Sequence, residues 1–466
     1  MSAVMGAVRP VFPGGRENLR TPQMGGREMK KKGKDQKAFP GAASAAASAL
    51  LLTVMAALVF CSIRNKEEGQ VLRFGMCAES YWDVPVGNCY QIVDDAIARF
   101  EKEHPGVKVE YVSGIRRDAY PEWLAEQVLL GTEPDVFMIP KGEFDTLASL
   151  GVLQELDGMI RRDGGFSSQA YYSGAYEYGN ISQKQYALPY ESVPTLMFVN
   201  KTFLEREGID MPKDDWTSEE FLDICRRVTK DTDGDGILDQ FGCYDYSWQD
   251  AVYANGAALF DSDGKYAYFS DVRVEEALRF VQELNGLNHG FFVTSREFDL
   301  GKAAFMPLAY SEYRTYKPYP WRIKKYSDFE WDCVKMPSGQ EGESRTELDT
   351  LLMGIGSRSS RKELAWEFLK ELCYEGETQR QLLEDSQGVP VVKTALLTKG
   401  GREQGQMDFE ILDQVMGEAV AAPHFGKYPE AMKRADSEVE RILLGEASMD
   451  SGLLKLQREM MAFLKE

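Results

Sequence analysis

Aromatic rings interleaved with carboxylates recur along this chain. Glu79, Tyr81, Trp82 and Asp83 form one group, Tyr190 and Glu191 a second, and Trp248, Tyr310, Glu312 and Tyr313 a third. The chemistry open to them is recognition: a ring face packs on the C–H face of a cyclic polyol, and a carboxylate accepts hydrogen bonds from its hydroxyl rim. Each ring also has a plainer reading as partly buried core, and Glu191 as one arm of a salt bridge. Tyr316, Tyr319 and Trp321, spaced by lysine and prolines, read as a surface loop. A separate acidic run, Asp231-Thr232-Asp233-Gly234-Asp235-Gly236-Ile237-Leu238-Asp239, follows the first nine positions of a calcium loop, with oxygens from Asp231, Asp233, Asp235, the Ile237 carbonyl and Asp239. Its twelfth position is Gly242, where a bidentate glutamate would be needed. A structural calcium ion therefore requires a carboxylate from elsewhere; the alternative is a sharp solvated turn. No other cofactor is required.

Catalysis finds little support. Glu79 and Asp83 are a pair of acids of the kind that act on glycosidic bonds, but the chain has no G-x-S-x-G nucleophile elbow and no phosphate-binding glycine loop. Its three histidines form no zinc pattern with its seven cysteines. The cysteines read as buried thiols, with a Cys77–Cys89 bridge as an open alternative outside the cell. Lys+Arg 54 against Asp+Glu 74 gives a net charge of -20, which repels nucleic acid and anionic lipid.

The elements that position these residues alternate. Val71–Phe74 reads as a strand, Ile92 to Phe100 as one face of a helix ended by Pro105-Gly106, Val107–Val112 as a strand, Tyr120–Leu130 as a helix stopped by Gly131, and Asp135–Ile139 as a buried strand. The pattern resumes with strand Leu196–Val199, helices Ser218–Lys230 and Val274–Leu284, strands Trp331–Met336 and Leu351–Ile355, and helix Lys362–Tyr374; residues beyond Phe409 read as helical. This predicts an α/β fold with a mostly parallel sheet. In such sheets ligands sit beyond the carboxyl ends of strands, which selects the loops after Phe74, after Ile139 and around Tyr190. At 466 residues more than one core is expected.

The N-terminal region has a different character. Residues 42–63 are uncharged and follow Lys30, Lys31, Lys32, Lys34 and Lys37. A helix of that length spans ~33 Å, enough for a bilayer core, and lysines before it keep that side cytoplasmic. The expected order is a basic segment 1–41, a signal or membrane anchor 42–63, a linker 64–70, and a body held on the outer face of the cell membrane. Leu58-Val59-Phe60-Cys61 resembles a lipidation motif whose small residue is replaced by Phe60, so tethering through an acylated Cys61 and through an uncleaved helix both stay open.

Four ordered blocks carry a family resemblance. Ala96–Val109, Tyr186–Glu191 with Phe198–Lys201, Gly301–Met306, and Gly354–Ser359 followed by Ala365–Lys370 resemble the family 1 extracellular solute-binding proteins, the group that includes maltose-binding protein. The resemblance implies a two-lobed periplasmic-binding-protein-like fold with the ligand cleft between the lobes. One lobe would hold 71–189 plus 330–375, the other 190–329 plus 376–466. It implies a monomeric, non-enzymatic receptor that captures a sugar or oligosaccharide and delivers it to ABC permease subunits, with Glu191 at a position where a carboxylate meets sugar hydroxyls. A polyamine, oligopeptide or metal chelate stays open as the solute, with a glycoside-processing enzyme as the remote alternative.

Overall fold

Residues 70–82, 84, 89–316, 329–339, 344–397 and 408–466 are described by the computed structural model. Segments 1–41 and 42–63, Cys61, nearly all of the 64–70 linker, Asp83, the Cys89 and Tyr316 side chains, Tyr319 and Trp321 lie outside the described residues. Three strands begin the body: β1 (Gln70–Gly75), β2 (Val107–Tyr111) and β3 (Val136–Met138). They are parallel, with Leu72 opposite Val109 and Phe74 opposite Val136. Parallel neighbours need crossovers. α1 (Cys89–Glu103) and α2 (Tyr120–Leu130) supply them. Ile92, Ala96 and Phe100 recur every four residues on α1 and are all buried. α2 stops because Gly131 takes φ 71°, the left-handed conformation that glycine enters without a Cβ clash.

The strand that organises the molecule is β6 (Ala187–Asn200), preceded by a small hairpin of β4 (Asn180–Ile181) and β5 (Lys184–Gln185). Fourteen extended residues reach ~46 Å, far enough to serve two lobes. Its first half pairs antiparallel with β10 (Glu347–Ile355), its second half with β8 (Ala303–Ala309) and β9 (Trp331–Val334). Leu196 and Phe198 face one core while Met197 and Val199 face another, so this half is apolar on both sides. The sheet runs β2-β1-β3-β10-β6-β8-β7, with β7 at Phe241–Cys243, and short strands β11 (Val389–Pro390) and β12 (Val420–Ala421) pair with β6 and β10. The mostly parallel sheet expected from the β-α alternation is thus parallel at its flanks and where β12 joins β10. Its centre is antiparallel because β6 and β10 carry the chain between lobes in opposite directions.

The second lobe packs α3 (Ser218–Val228), α4 (Trp248–Ala254) and α5 (Val272–Gly286) against the second core; α6 (Tyr310–Tyr316) follows β8. α7 (Lys362–Cys373), α8 (Gly376–Asp385) and α9 (Phe409–Glu418) bury Phe368, Leu382 and Val415 in the first core. Residues 376–397 and 408–418, expected with the second lobe, therefore lie against the first. Only α10 (Tyr428–Leu443) and α11 (Met449–Lys465) join the second core. β9, expected in the first lobe, pairs with the second half of β6, so the return crossing comes after it. The chain crosses a third time between α9 and α10. Cys225, Cys243, Cys333 and Cys373 are buried thiols; a Cys77–Cys89 bridge involves a side chain outside the described residues. Among the described residues no helix is long and apolar enough to cross a membrane.

Candidate functional site

The three crossings form the floor of a groove between the lobes. β10 lays Glu347 and Asp349 on it, two residues apart and hence on one face of the strand. The first lobe adds Tyr81 from the loop after β1, Lys141 from the loop after β3, and Tyr178; the second adds Tyr253 from α4 and Tyr428 at the start of α10. α4 is set in register by a capping box: the Ser247 hydroxyl accepts the Asp250 N–H at 3.0 Å and the Asp250 carboxylate accepts the Ser247 N–H at 3.1 Å. A cavity of about 830 Å³ opens beside Tyr178, Tyr253 and Tyr428, with Asp145, Phe260, Arg345 and His424 also on its walls. A second, of about 980 Å³, shares Glu177, Arg345, Val420 and Ala421 with it.

The polar groups are coupled across the lobes. Tyr253 donates its hydroxyl to Glu347 and is hydrogen-bonded to Tyr428. Lys141 pairs with Asp349. Burial pushes the Glu347 carboxyl above its ordinary range and the Asp349 charge adds to the push, against the pull of the Tyr253 hydroxyl and Lys141. Burial also raises the hydroxyls of Tyr81 and Tyr178, with Asp349 the next contributor for each, so both remain protonated donors. His424 sits edge-on between Phe144 and Tyr178, ring centroids 5.0 and 5.1 Å away, and burial lowers its pKa, against the charge of Asp145. Its Nδ1 has no hydrogen-bond partner among the described residues. The arrangement offers rings, neutral donors and carboxylate acceptors, converging from both sides of a groove.

The profile of the bacterial extracellular solute-binding proteins matches residues 95–408, more than half of the chain. The chain belongs to that family. Its members bind solutes and are not enzymes. This solute-binding protein is 26% identical over 324 residues to the galactooligosaccharide-binding protein of Bacillus subtilis, covering 65% of this chain and 70% of that one. It resembles the crystal structure of the cyclic alpha-maltosyl-1,6-maltose binding protein from Arthrobacter globiformis with a TM-score of 0.70 at 18% identity, over 85% of this chain and 98% of that one. The sugar-binding protein MalE of Xanthomonas citri gives 0.69 at 17%, over the same 85% and 98%. These two likenesses concern the fold, and with it the two lobes.

In this solute-binding protein the residues anticipated from sequence are dispersed. Tyr81 lines a small pocket with Tyr190 and Glu191, close enough to Asp349 and Tyr178 to feel both. Glu79 lies 3.8 Å from the Arg116 guanidinium and accepts the Arg117 N–H at 3.3 Å, bracing its own loop. Trp82 and Tyr190 are buried beside Glu191, whose carboxylate accepts the Trp82 indole N–H at 2.8 Å and the hydroxyl of Ser386. Trp248 is buried in the second core with its indole N–H on Asp436 at 3.0 Å. Tyr310 and Tyr313 stack at 5.6 Å within the first core, and Glu312 accepts the Ala309 N–H at 3.3 Å at the start of α6. Lys141, Tyr178, Tyr253, Glu347, Asp349, His424 and Tyr428 were not anticipated. The one available signal was Glu347 and Asp349 alternating with Leu348, as on a strand with one polar face.

The aspartate loop closes on itself. Asp231 accepts the N–H groups of Gly234 and Gly236 at 2.7 Å each, Asp233 that of Asp235 at 3.1 Å, and Asp235 that of Ile237 at 2.8 Å. Asp239 accepts the Thr232 hydroxyl at 2.6 Å. Oxygens of Asp231, Asp233 and Asp239 all lie within 4.8 Å of one another. Asp231 Oδ1 accepts the N–H groups of both Asp233 and Gly234, while Oδ2, with Gly236 alone, keeps a lone pair for a cation.

Proposed function

We propose that this protein captures an oligosaccharide in the groove between its lobes and presents it to the permease subunits of an ABC importer. The observation that carries the reading is the cross-lobe set of Tyr81, Tyr178, Tyr253 and Tyr428 around Glu347 and Asp349. A solute seated there touches both lobes and the crossing strand together, which is how binding energy can draw lobes shut. Phenol faces suit sugar C–H surfaces and paired carboxylates suit vicinal hydroxyls. The volume, toward the upper part of the range of about 300–1,000 Å³ usual for small-molecule pockets, supports a chain of sugar units over a single one. The galactooligosaccharide named for the Bacillus relative supports the same class.

Two further parts belong to the proposal. The protein works on the outer face of the membrane, tethered through residues 42–63 or an acylated Cys61. The aspartate loop holds a structural calcium ion through Asp231, Asp233 and Asp239, away from the solute. Calorimetric titration with galacto- and malto-oligosaccharides, with spermidine and a tripeptide as competitors in class, tests the main reading. Saturable heat from an oligosaccharide alone is expected; heat from spermidine or the peptide alone would overturn it.

A further inference from the structure

The crossing strand carries one irregularity. β6 and β10 pair with Leu351 opposite Glu191 and Leu352 opposite Pro189, so Tyr190 is an extra residue in a β-bulge. In a regular strand Tyr190 and Glu191 would face opposite ways; the bulge lets both line one small pocket beneath the loop after β1, together with Tyr81 and Ser386. There the Glu191 carboxylate is used from every side. One oxygen accepts the Trp82 indole N–H at 2.8 Å, the other the Ser386 hydroxyl, and the Gly388 N–H donates as well. A Cβ on Gly388 would lie 2.6 Å from that second oxygen, so the approach depends on glycine.

The indole that Glu191 holds is itself a support. Trp82 meets the Tyr81 ring edge-on, with centroids 5.0 Å apart and planes at 81°. The Tyr81 hydroxyl reaches the Ile139 carbonyl at 3.4 Å, and Arg117 donates to the Tyr81 carbonyl at 3.2 Å. The far side of the carboxylate is tied equally well: Arg314, on α6, donates to the carbonyls of Ser386 at 3.0 Å and Glu384 at 2.7 Å. A carboxylate that is buried and accepts on both oxygens from the protein's own donors is poorly placed to meet a solute hydroxyl. Its position in mid-strand, between the loop that carries Tyr81 and a segment gripped from α6, fits a different task.

We infer that Glu191 is a positioning residue of the solute groove: it anchors Trp82, and through that indole it fixes Tyr81 against the bound solute without touching the solute itself. The inference rests on the oligosaccharide reading for its effect on affinity, but not for the contact that carries it.

Full-length protein labelled with ¹⁵N-tryptophan tests both parts, the Trp82 indole signal being assigned by its loss in Trp82→Phe. In Glu191→Gln the Trp82 indole N–H meets either the amide nitrogen, a donor against a donor, or the amide oxygen, a neutral acceptor weaker than the carboxylate. The Trp82 indole signal is therefore expected to move and to exchange faster with solvent, and oligosaccharide affinity to fall several-fold. In a Trp82→Phe background the same substitution should cause no further loss. An unmoved indole signal overturns the inference. So does an equal loss of affinity in both backgrounds, which would mean that the carboxylate meets the solute directly. Should Glu191→Gln fail to fold, Ser386→Ala removes one donor from the far oxygen and is expected to move the same signal by less; an unmoved signal there overturns the inference too. Absence of any oligosaccharide binding by the parent would sink the capture reading alone, since the indole signal still decides whether Glu191 holds Trp82.

Discussion

Replacing Glu347 by glutamine should make this protein more stable and a poorer receptor at the same time. The carboxyl lies on the groove floor, partly buried, with the Tyr253 hydroxyl donating to it and the Asp349 charge on the same strand face. Burial first, and Asp349 second, raise its pKa above the ordinary 4.5. A carboxyl whose folded pKa is raised takes up its proton more readily folded than unfolded, so the parent gains stability as pH falls from neutral through the raised value toward 4.5. At pH 7 the ionised group is a net cost, and the isosteric amide removes it. Glu347→Gln should thus melt higher than the parent at pH 7, with the difference shrinking toward pH 4.5. Binding should move the other way. A hydrogen bond to a charged acceptor contributes about 1.5–3 kcal/mol, which corresponds to a Kd weakened roughly 10- to 150-fold. Calorimetry at pH 7 and thermal melts at pH 7 and 4.5 on the same preparation read both effects. A variant that melts lower at pH 7 and binds as tightly as the parent would refute the reasoning, because Glu347 would then be a structural acceptor for Tyr253 alone.

Two other expectations lie outside the groove. Burial pushes the Asp163 carboxyl up, but Lys370, the Trp366 indole N–H and the Gly165 N–H pull harder and hold it at about 2; Asp163→Asn should cost about 1–2 kcal/mol at pH 7, a difference that fades in urea melts as pH falls from 3.8 toward 2. Calcium at millimolar concentration should raise the melting temperature of the parent and leave Asp233→Ala with Asp235→Ala unmoved, while a parent indifferent to calcium would leave the loop as a turn held by its own amides.

Much of the fold was legible because local signals agreed. Gly131 ends α2 where the helix was expected to stop, and the apolar run read as a strand over Asp135–Ile139 is one over Val136–Met138. The strand-end rule selected the loops after β1 and β3, in which Tyr81 and Lys141 lie, and also the segment around Tyr190, which is buried. The floor of the groove was missed because β10 was expected to begin at Leu351 and in fact begins at Glu347. Its first residues alternate partly exposed and buried, Glu347 and Asp349 against Leu348 and Thr350, whereas the later ones are buried throughout. A reading keyed to continuous apolar runs finds only the second part. Tyr253 and Tyr428 were hidden for another reason. Each sits on a helix of the second lobe, where an aromatic residue is ordinarily core, and only the third crossing brings Tyr428 to Tyr253 and both to β10.

Glu191 shows a limit of a different kind. Its residue type and its place on the lobe crossing were read correctly, and an acceptor for solute hydroxyls was the natural role. Period-two alternation puts Tyr190 and Glu191 on opposite faces of the strand, so at most one of them should point toward the loop after β1. The bulge turns both toward it. One inserted residue leaves no mark in composition or hydrophobic pattern, because it is a property of the pairing with β10 and not of β6 alone. The donors that then occupy the carboxylate come from residues 109 and 195 positions away along the chain, Trp82 and Ser386. The type of a side chain sets which bonds it can make; the register of its strand against a neighbour decides which partners are there to make them, and at Glu191 those partners are the protein's own.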